Sequence, residues 1–118
     1  MKLIGTTKYQ RGERVKILAE TESLTKWSEG DVLVQLYDGE RNAVVLVKRE
    51  EYEQRNMGRM KLIGMTRYQR GGRVRILAEI QSLTGWKEGS DFLVQLYDEE
   101  RNAVVLVKRE EYERWRSG

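Results

Sequence analysis

Residues 1–53 and 60–113 are two copies of one unit, so any fold for this chain has to accommodate the same short sequence twice. The first copy opens MKLIGTTKYQRGERVKILAE at Met1, the second MKLIGMTRYQRGGRVRILAE at Met60. Ser90 is a one-residue insertion, after which DVLVQLYDGERNAVVLVKREEYE matches DFLVQLYDEERNAVVLVKREEYE. With Ser90 set aside, 43 of 53 aligned positions are identical, which marks a duplication that is recent or engineered. A chain this short buries only about 60% of its unfolded surface, near the lower limit for folding alone. Two copies joined by the linker 54–59 reach a core of over 100 residues. One shared pseudo-symmetric domain is therefore expected, like a two-fold homodimer written into a single chain.

Local pattern supplies the elements of one unit. Leu3 to Gln10 and Arg14 to Leu18 flank the polar break Arg11-Gly12-Glu13, and Val15 and Ile17 alternate with Arg14 and Lys16. That reads as a β-hairpin, with Arg70-Gly71-Gly72 as the corresponding turn in the second copy. Leu18, Leu24 and Trp27 sit near helical spacing, with Glu20 and Glu22 in the first turn, which predicts a short helix over 19–27. Val32 to Tyr37 and Ala43 to Lys48 form a second hairpin around Asp38–Asn42, read as a plain turn. Lys48 to Tyr52 either extends that strand or starts a short helix. The acidic Glu50-Glu51-Tyr52-Glu53 and its repeat read as a solvated tail. The fold expected is mainly β with two short helices, a pseudo-two-fold barrel built from two ββαββ repeats. Closing the barrel also removes exposed strand edges.

The absences narrow the chemistry. The chain has no Cys and no His. A disulfide framework, a thiol nucleophile, thiolate metal ligation and the commonest general base are all missing. No enzyme and no cofactor is expected. No apolar run approaches the 18 or so residues of a membrane span. Met1–Gly5 is too short for a signal peptide, so no membrane association and a cytoplasmic location are expected.

The run Lys8–Glu50 resembles the AbrB/MazE/SpoVT swapped-hairpin family. Arg14-Val15-Lys16-Ile17, Trp27-Ser28-Glu29-Gly30-Asp31 and the hairpin over 32–47 match its ordered motifs, and Arg73-Val74-Arg75-Ile76 and Trp86-Lys87-Glu88-Gly89 repeat them. The resemblance implies a barrel made by exchanging hairpins between two halves, and double-stranded DNA as partner. Here one chain would supply both halves as a monomeric pseudo-dimer, with higher assembly open. Two departures stand out. The family's Ile-Pro step is Ile17-Leu18 and Ile76-Leu77 here. The basic helix pair of some members is Glu22-Ser23 and Gln81-Ser82.

Charge points to the first hairpins rather than the helices. Residues 1–17 carry five bases against Glu13 alone, a net of +4, and residues 60–76 carry five bases and no acid, a net of +5. The whole chain is only +3, so the rest totals −6. Lys8, Arg11, Arg14 and Lys16, with Arg67, Arg70, Arg73 and Arg75, are the candidate DNA-binding residues. Arg14 and Lys16 share one strand face opposite Val15 and Ile17, and Arg73 and Arg75 repeat this. Such a face gains from phosphate by counterion release, and Arg also reads guanine edges. A solvated strand face is charged for solubility alone, which is the competing reading. The +5 against +4 balance predicts stronger binding by the second half. Tyr9 and Tyr68 either stack on bases or pack inward, and Trp27 and Trp86 read as core. The alternatives are a protein-binding, antitoxin-like module acting through the barrel, an engineered barrel without selected function, and, for the fold, a double-psi chain path.

Overall fold

The computed structural model describes residues 1–117. The first copy forms β1 (Lys2–Lys8), β2 (Arg14–Lys16), α1 (Ala19–Thr25), β3 (Val32–Asp38), β4 (Ala43–Lys48) and α2 (Arg49–Gln54). The second forms β5 (Lys61–Arg67), β6 (Arg73–Arg75), α3 (Ala78–Thr84), β7 (Phe92–Asp98), β8 (Ala103–Lys108) and α4 (Arg109–Ser117). The chain is thus mainly β, with eight strands and four helices among the described residues. After Lys48 the chain takes the short-helix alternative rather than extending the strand, so the acidic segments are helices and not free solvated tails. Each opens with acids in its first turn, which suits the positive helix end, and each plants one tyrosine, Tyr52 or Tyr112, against a buried apolar cluster. Glu51 accepts a hydrogen bond from the Asn102 amide at 3.0 Å, and Glu111 one from Asn42 at 3.5 Å.

Six strands form one antiparallel sheet in the order β1-β7-β8-β4-β3-β5, while β2 and β6 pair apart as a two-stranded ribbon. The sheet is open, with β1 and β5 at its edges. The β3–β4 and β7–β8 hairpins follow the sequence, and β4 and β8 join them at the centre. The first two strands of each copy pair instead with the other copy: β1 with β7, β5 with β3, β2 with β6. The expected β1–β2 hairpin is therefore not formed. Only the single bridges Gln10–Arg14 and Gln69–Arg73 survive of it. The physical reason is burial: pairing across the copies lets two units, each too small for a full core, close one core between them.

Both faces of the central sheet are covered, which explains the unbroken apolar run AVVLVK. On the inner face Leu33, Val44, Leu46 and their repeats pack with Val15 and Val74 of the ribbon, Ile17 and Ile76, and the four aromatics Tyr9, Tyr68, Trp27 and Trp86. On the outer face Val34, Leu36, Val45, Val47 and their repeats meet Met57, Met60, Tyr52, Tyr112 and Trp115. The first helix stops at Thr25, short of the 27 expected, because Lys26 turns left-handed at φ 61°; Gly85 does the same for α3.

Candidate nucleic-acid interface

The ribbon concentrates the charge. Its register sets Arg14 opposite Arg75, Val15 opposite Val74, and Lys16 opposite Arg73. Both valines are fully buried, so their neighbours on the same strands face solvent, and all four cations are exposed. Cross-strand neighbours lie about 5 Å apart and next-but-one residues about 7 Å apart along a strand. Four positive side chains thus spring from a patch of roughly 5 by 7 Å. Like charges rooted this closely repel, least at Arg75, whose charge Glu13 offsets. Opposing like charges destabilise a sheet, so this ribbon carries a stability cost that an incoming polyanion would relieve.

Three features tune the patch. Arg75 pairs with Glu13 at 3.1 Å. The Lys16 ammonium donates to the Gly71 carbonyl. Arg14 and Arg73 have no carboxylate partner among the described residues. Arg11 and Arg70 lie exposed in the loops that lead into the two strands. Lys8 and Arg67 depart from the expected cluster. They sit on the opposite, outer phase of β1 and β5 from Thr7 and Thr66, whose strand partners Leu33 and Leu93 face the inner core. Lys8 lies over the Phe92 ring at 5.7 Å, where Arg109 also stacks, and Arg67 donates to the Gly30 carbonyl at 2.8 Å.

The division into a weaker first and a stronger second half does not survive the register. Each end of the ribbon combines one cation from each copy, Arg14 with Arg75 and Lys16 with Arg73. The charge difference between copies becomes a difference between ends.

Two glutamines hold the ribbon, and the sequence reading passed over them. Gln35 and Gln95 are fully buried on the inner face, in phase with Leu33 and Leu93. Gln95 donates to the Lys16 carbonyl at 2.5 Å and accepts from the Leu18 amide at 3.3 Å. Gln35 donates to the Arg75 carbonyl at 2.7 Å and accepts from the Leu77 amide at 3.1 Å. Leu18 and Leu77 are the helix N-caps and have no side-chain cap of their own, so each glutamine ties a ribbon end to a helix start. A polar residue on an apolar strand phase was the available signal. Glu88 adds a further tie, accepting from the Gly12 amide at 2.6 Å.

Tyr9 and Tyr68 pack inward and are closed to base stacking. Each is buried in a T-shaped contact at 5.5 Å, with Trp86 and Trp27 respectively. Burial pushes both phenols well above the ordinary tyrosine range, and for Tyr68 the hydrogen bond to Glu22 adds to it. Trp27 and Trp86 are core residues, as their position suggested, although each buries its indole N–H without a partner. Asp38 caps a plain turn, accepting from the Glu40 and Arg41 amides.

No helix among the described residues is long and apolar enough to cross a membrane. No protein-family model matches the chain, and no curated protein matches it.

Proposed function

We propose that this chain is a duplex-DNA-binding regulator of AbrB type, acting as a single-chain pseudo-dimer through the β2–β6 ribbon. The observation that carries the reading is the cation ladder, four exposed positive residues in direct cross-strand opposition over a buried valine pair. A purely solubilising surface is better served by alternating signs, since opposed like charges cost stability. The major groove, about 12 Å wide, admits a two-stranded β-ribbon, and the exposed arginines suit phosphate and guanine edges. The pairing of β1, β2, β5 and β6 with the opposite copy supports reading the whole as the family's swapped-hairpin barrel, with residues 1–53 and 60–113 as its halves and the ribbon closing the open side of the sheet. In this reading Arg14, Lys16, Arg73 and Arg75 form the centre of the interface, Arg11 and Arg70 its flanks, and Lys8 and Arg67 contribute least.

The test is an alanine series read by duplex binding at low salt. Replacing the four ribbon cations together should abolish binding. Arg11→Ala with Arg70→Ala should weaken it, and Lys8→Ala with Arg67→Ala should leave it within about threefold, well under the loss expected for one phosphate-bound cation pair. Undiminished binding by the folded four-alanine variant would refute the assignment.

A further inference from the structure

Two-fold symmetry through Val15 and Val74 would make the ends of the ribbon alike, and in this chain they differ at two pairs of positions. Arg75 occupies the place equivalent to Lys16, and Gly72 the place equivalent to Glu13. A dimer of either copy alone would have matching ends. The tandem chain has an Arg14/Arg75 end bearing Glu13, and a Lys16/Arg73 end bearing Gly72.

The structure gives the difference a chemical sense. At the first end Glu13, left-handed at φ 61°, places its carboxylate 3.1 Å from Arg75, and the Gly12 amide is held by Glu88 at 2.6 Å. At the second end the consecutive glycines Gly71 and Gly72 are both left-handed, at φ 79° and 74°. A Cβ at Gly72 would come within 3.3 Å of the Lys16 ammonium and 3.2 Å of the Ile17 carbonyl. The glycine therefore leaves Lys16 room, and a cavity of about 290 Å³ lies beside Lys16, Gly71 and Gly72, walled on the α1 side by Glu29 and by Glu22, which accepts from the Tyr68 hydroxyl. Neither cation of this end is paired to a carboxylate among the described residues.

These facts suit different partners. A lysine is a compact point charge that serves phosphate, and on the exposed ribbon face Lys16 and Arg73 carry no salt bridge to a carboxylate among the described residues, which suits them to backbone oxygens. A carboxylate near phosphate is repelled. Among base edges it accepts from the cytosine amino group, while arginine beside it binds guanine bidentately. The first end thus combines the two side-chain types that read a G·C pair. Resting on the DNA-binding reading above, we infer that the ribbon binds duplex DNA in one orientation, with Glu13, Arg14 and Arg75 over G·C-containing base edges and Lys16 and Arg73 on phosphates. The site it recognises is then non-palindromic, despite the near-identity of the two copies.

The experiment exploits the absence of cysteine. Gln10→Cys places a unique thiol in the exposed loop of the first end, where an iron–chelate cleavage reagent can be attached. The duplex is selected from a random pool by the native chain. The expected result is cleavage on one side of the selected site, by at least about fivefold over the other side, the least that one bidentate base contact contributes. Glu13→Gly combined with Lys16→Arg makes the two ribbon ends identical in sequence, and cleavage should then appear equally on both sides. Equal cleavage by the native chain, or selection of a palindrome, overturns the orientation alone. Failure to select any duplex overturns the DNA-binding reading and the orientation with it. The pattern of the native chain decides whether or not the double variant folds.

Discussion

Gln95→Leu removes the side chain that holds one ribbon end, at little change in volume. Gln95 is fully buried and bonded to the Lys16 carbonyl at 2.5 Å and the Leu18 amide at 3.3 Å, with further contacts to the Thr21 hydroxyl at 3.3 Å and the Thr7 hydroxyl at 3.4 Å. Leucine satisfies none of them. Each backbone group left buried without a partner costs about 1–3 kcal/mol, so the two together cost about 2–6 kcal/mol. The apolar gain of leucine over glutamine offsets about 1–2 kcal/mol of this. The bounds leave a net loss of about 0–5 kcal/mol, centred at about 2.5 kcal/mol, a large part of the stability of a domain this size. At about 4 °C per kcal/mol the central value lowers the unfolding midpoint by roughly 10 °C. Gln35→Leu, acting on the Arg75 carbonyl and Leu77 amide, should match it within about 1 kcal/mol. Thermal and urea unfolding followed by circular dichroism measure both. A midpoint within about 0.5 kcal/mol of the native chain would refute the idea that these amides anchor the ribbon, since that is the scatter of ordinary surface substitutions.

Two further outcomes follow from the same geometry. Arg73→Glu turns a repulsive cross-strand pair into an attractive one with Lys16, which has no carboxylate partner among the described residues. It should stabilise the chain by about 0.5–1 kcal/mol in denaturant while weakening duplex binding, and destabilisation would remove the cost assigned to the ladder. The raised phenols of Tyr9 and Tyr68 contribute stability that is complete below the ordinary tyrosine value of about 10 and declines as pH rises beyond it. Urea midpoints should therefore hold steady to about pH 10 and then fall, and a midpoint unchanged at about pH 11.5 would contradict the burial of these hydroxyls.

Much of the fold was legible because it follows from period and composition. The run AVVLVK is β4 and β8 within the bounds read from the sequence, since a strand buried on both faces has to be apolar throughout. The alternation of Arg14 and Lys16 with Val15 correctly placed the cations on one exposed face. What periodicity does not encode is the partner. Near-identical copies offer the same pattern within a unit and across units, and only the burial needs of two undersized units favour the crossed pairing seen for β1, β2, β5 and β6. Opposition of Arg14 to Arg75 was invisible for the same reason. The short helices α2 and α4 were legible only as one of two options for the segment after Lys48, because one or two aromatic anchors, Tyr52 in α2 and Tyr112 with Trp115 in α4, give no full helical stripe to read. Gln35 and Gln95 were legible as polar residues in phase with core leucines, and their partners emerge only once the ribbon lies beneath them.

The most direct measurement is the affinity of the native chain for a duplex across a salt series. With Arg14 and Arg75 over base edges, Lys16, Arg73, Arg11 and Arg70 should engage about four phosphates. Log K should then fall against log salt with a slope of roughly −3.6. No measurable binding to any duplex at low salt, or binding whose slope is near zero, would contradict the account.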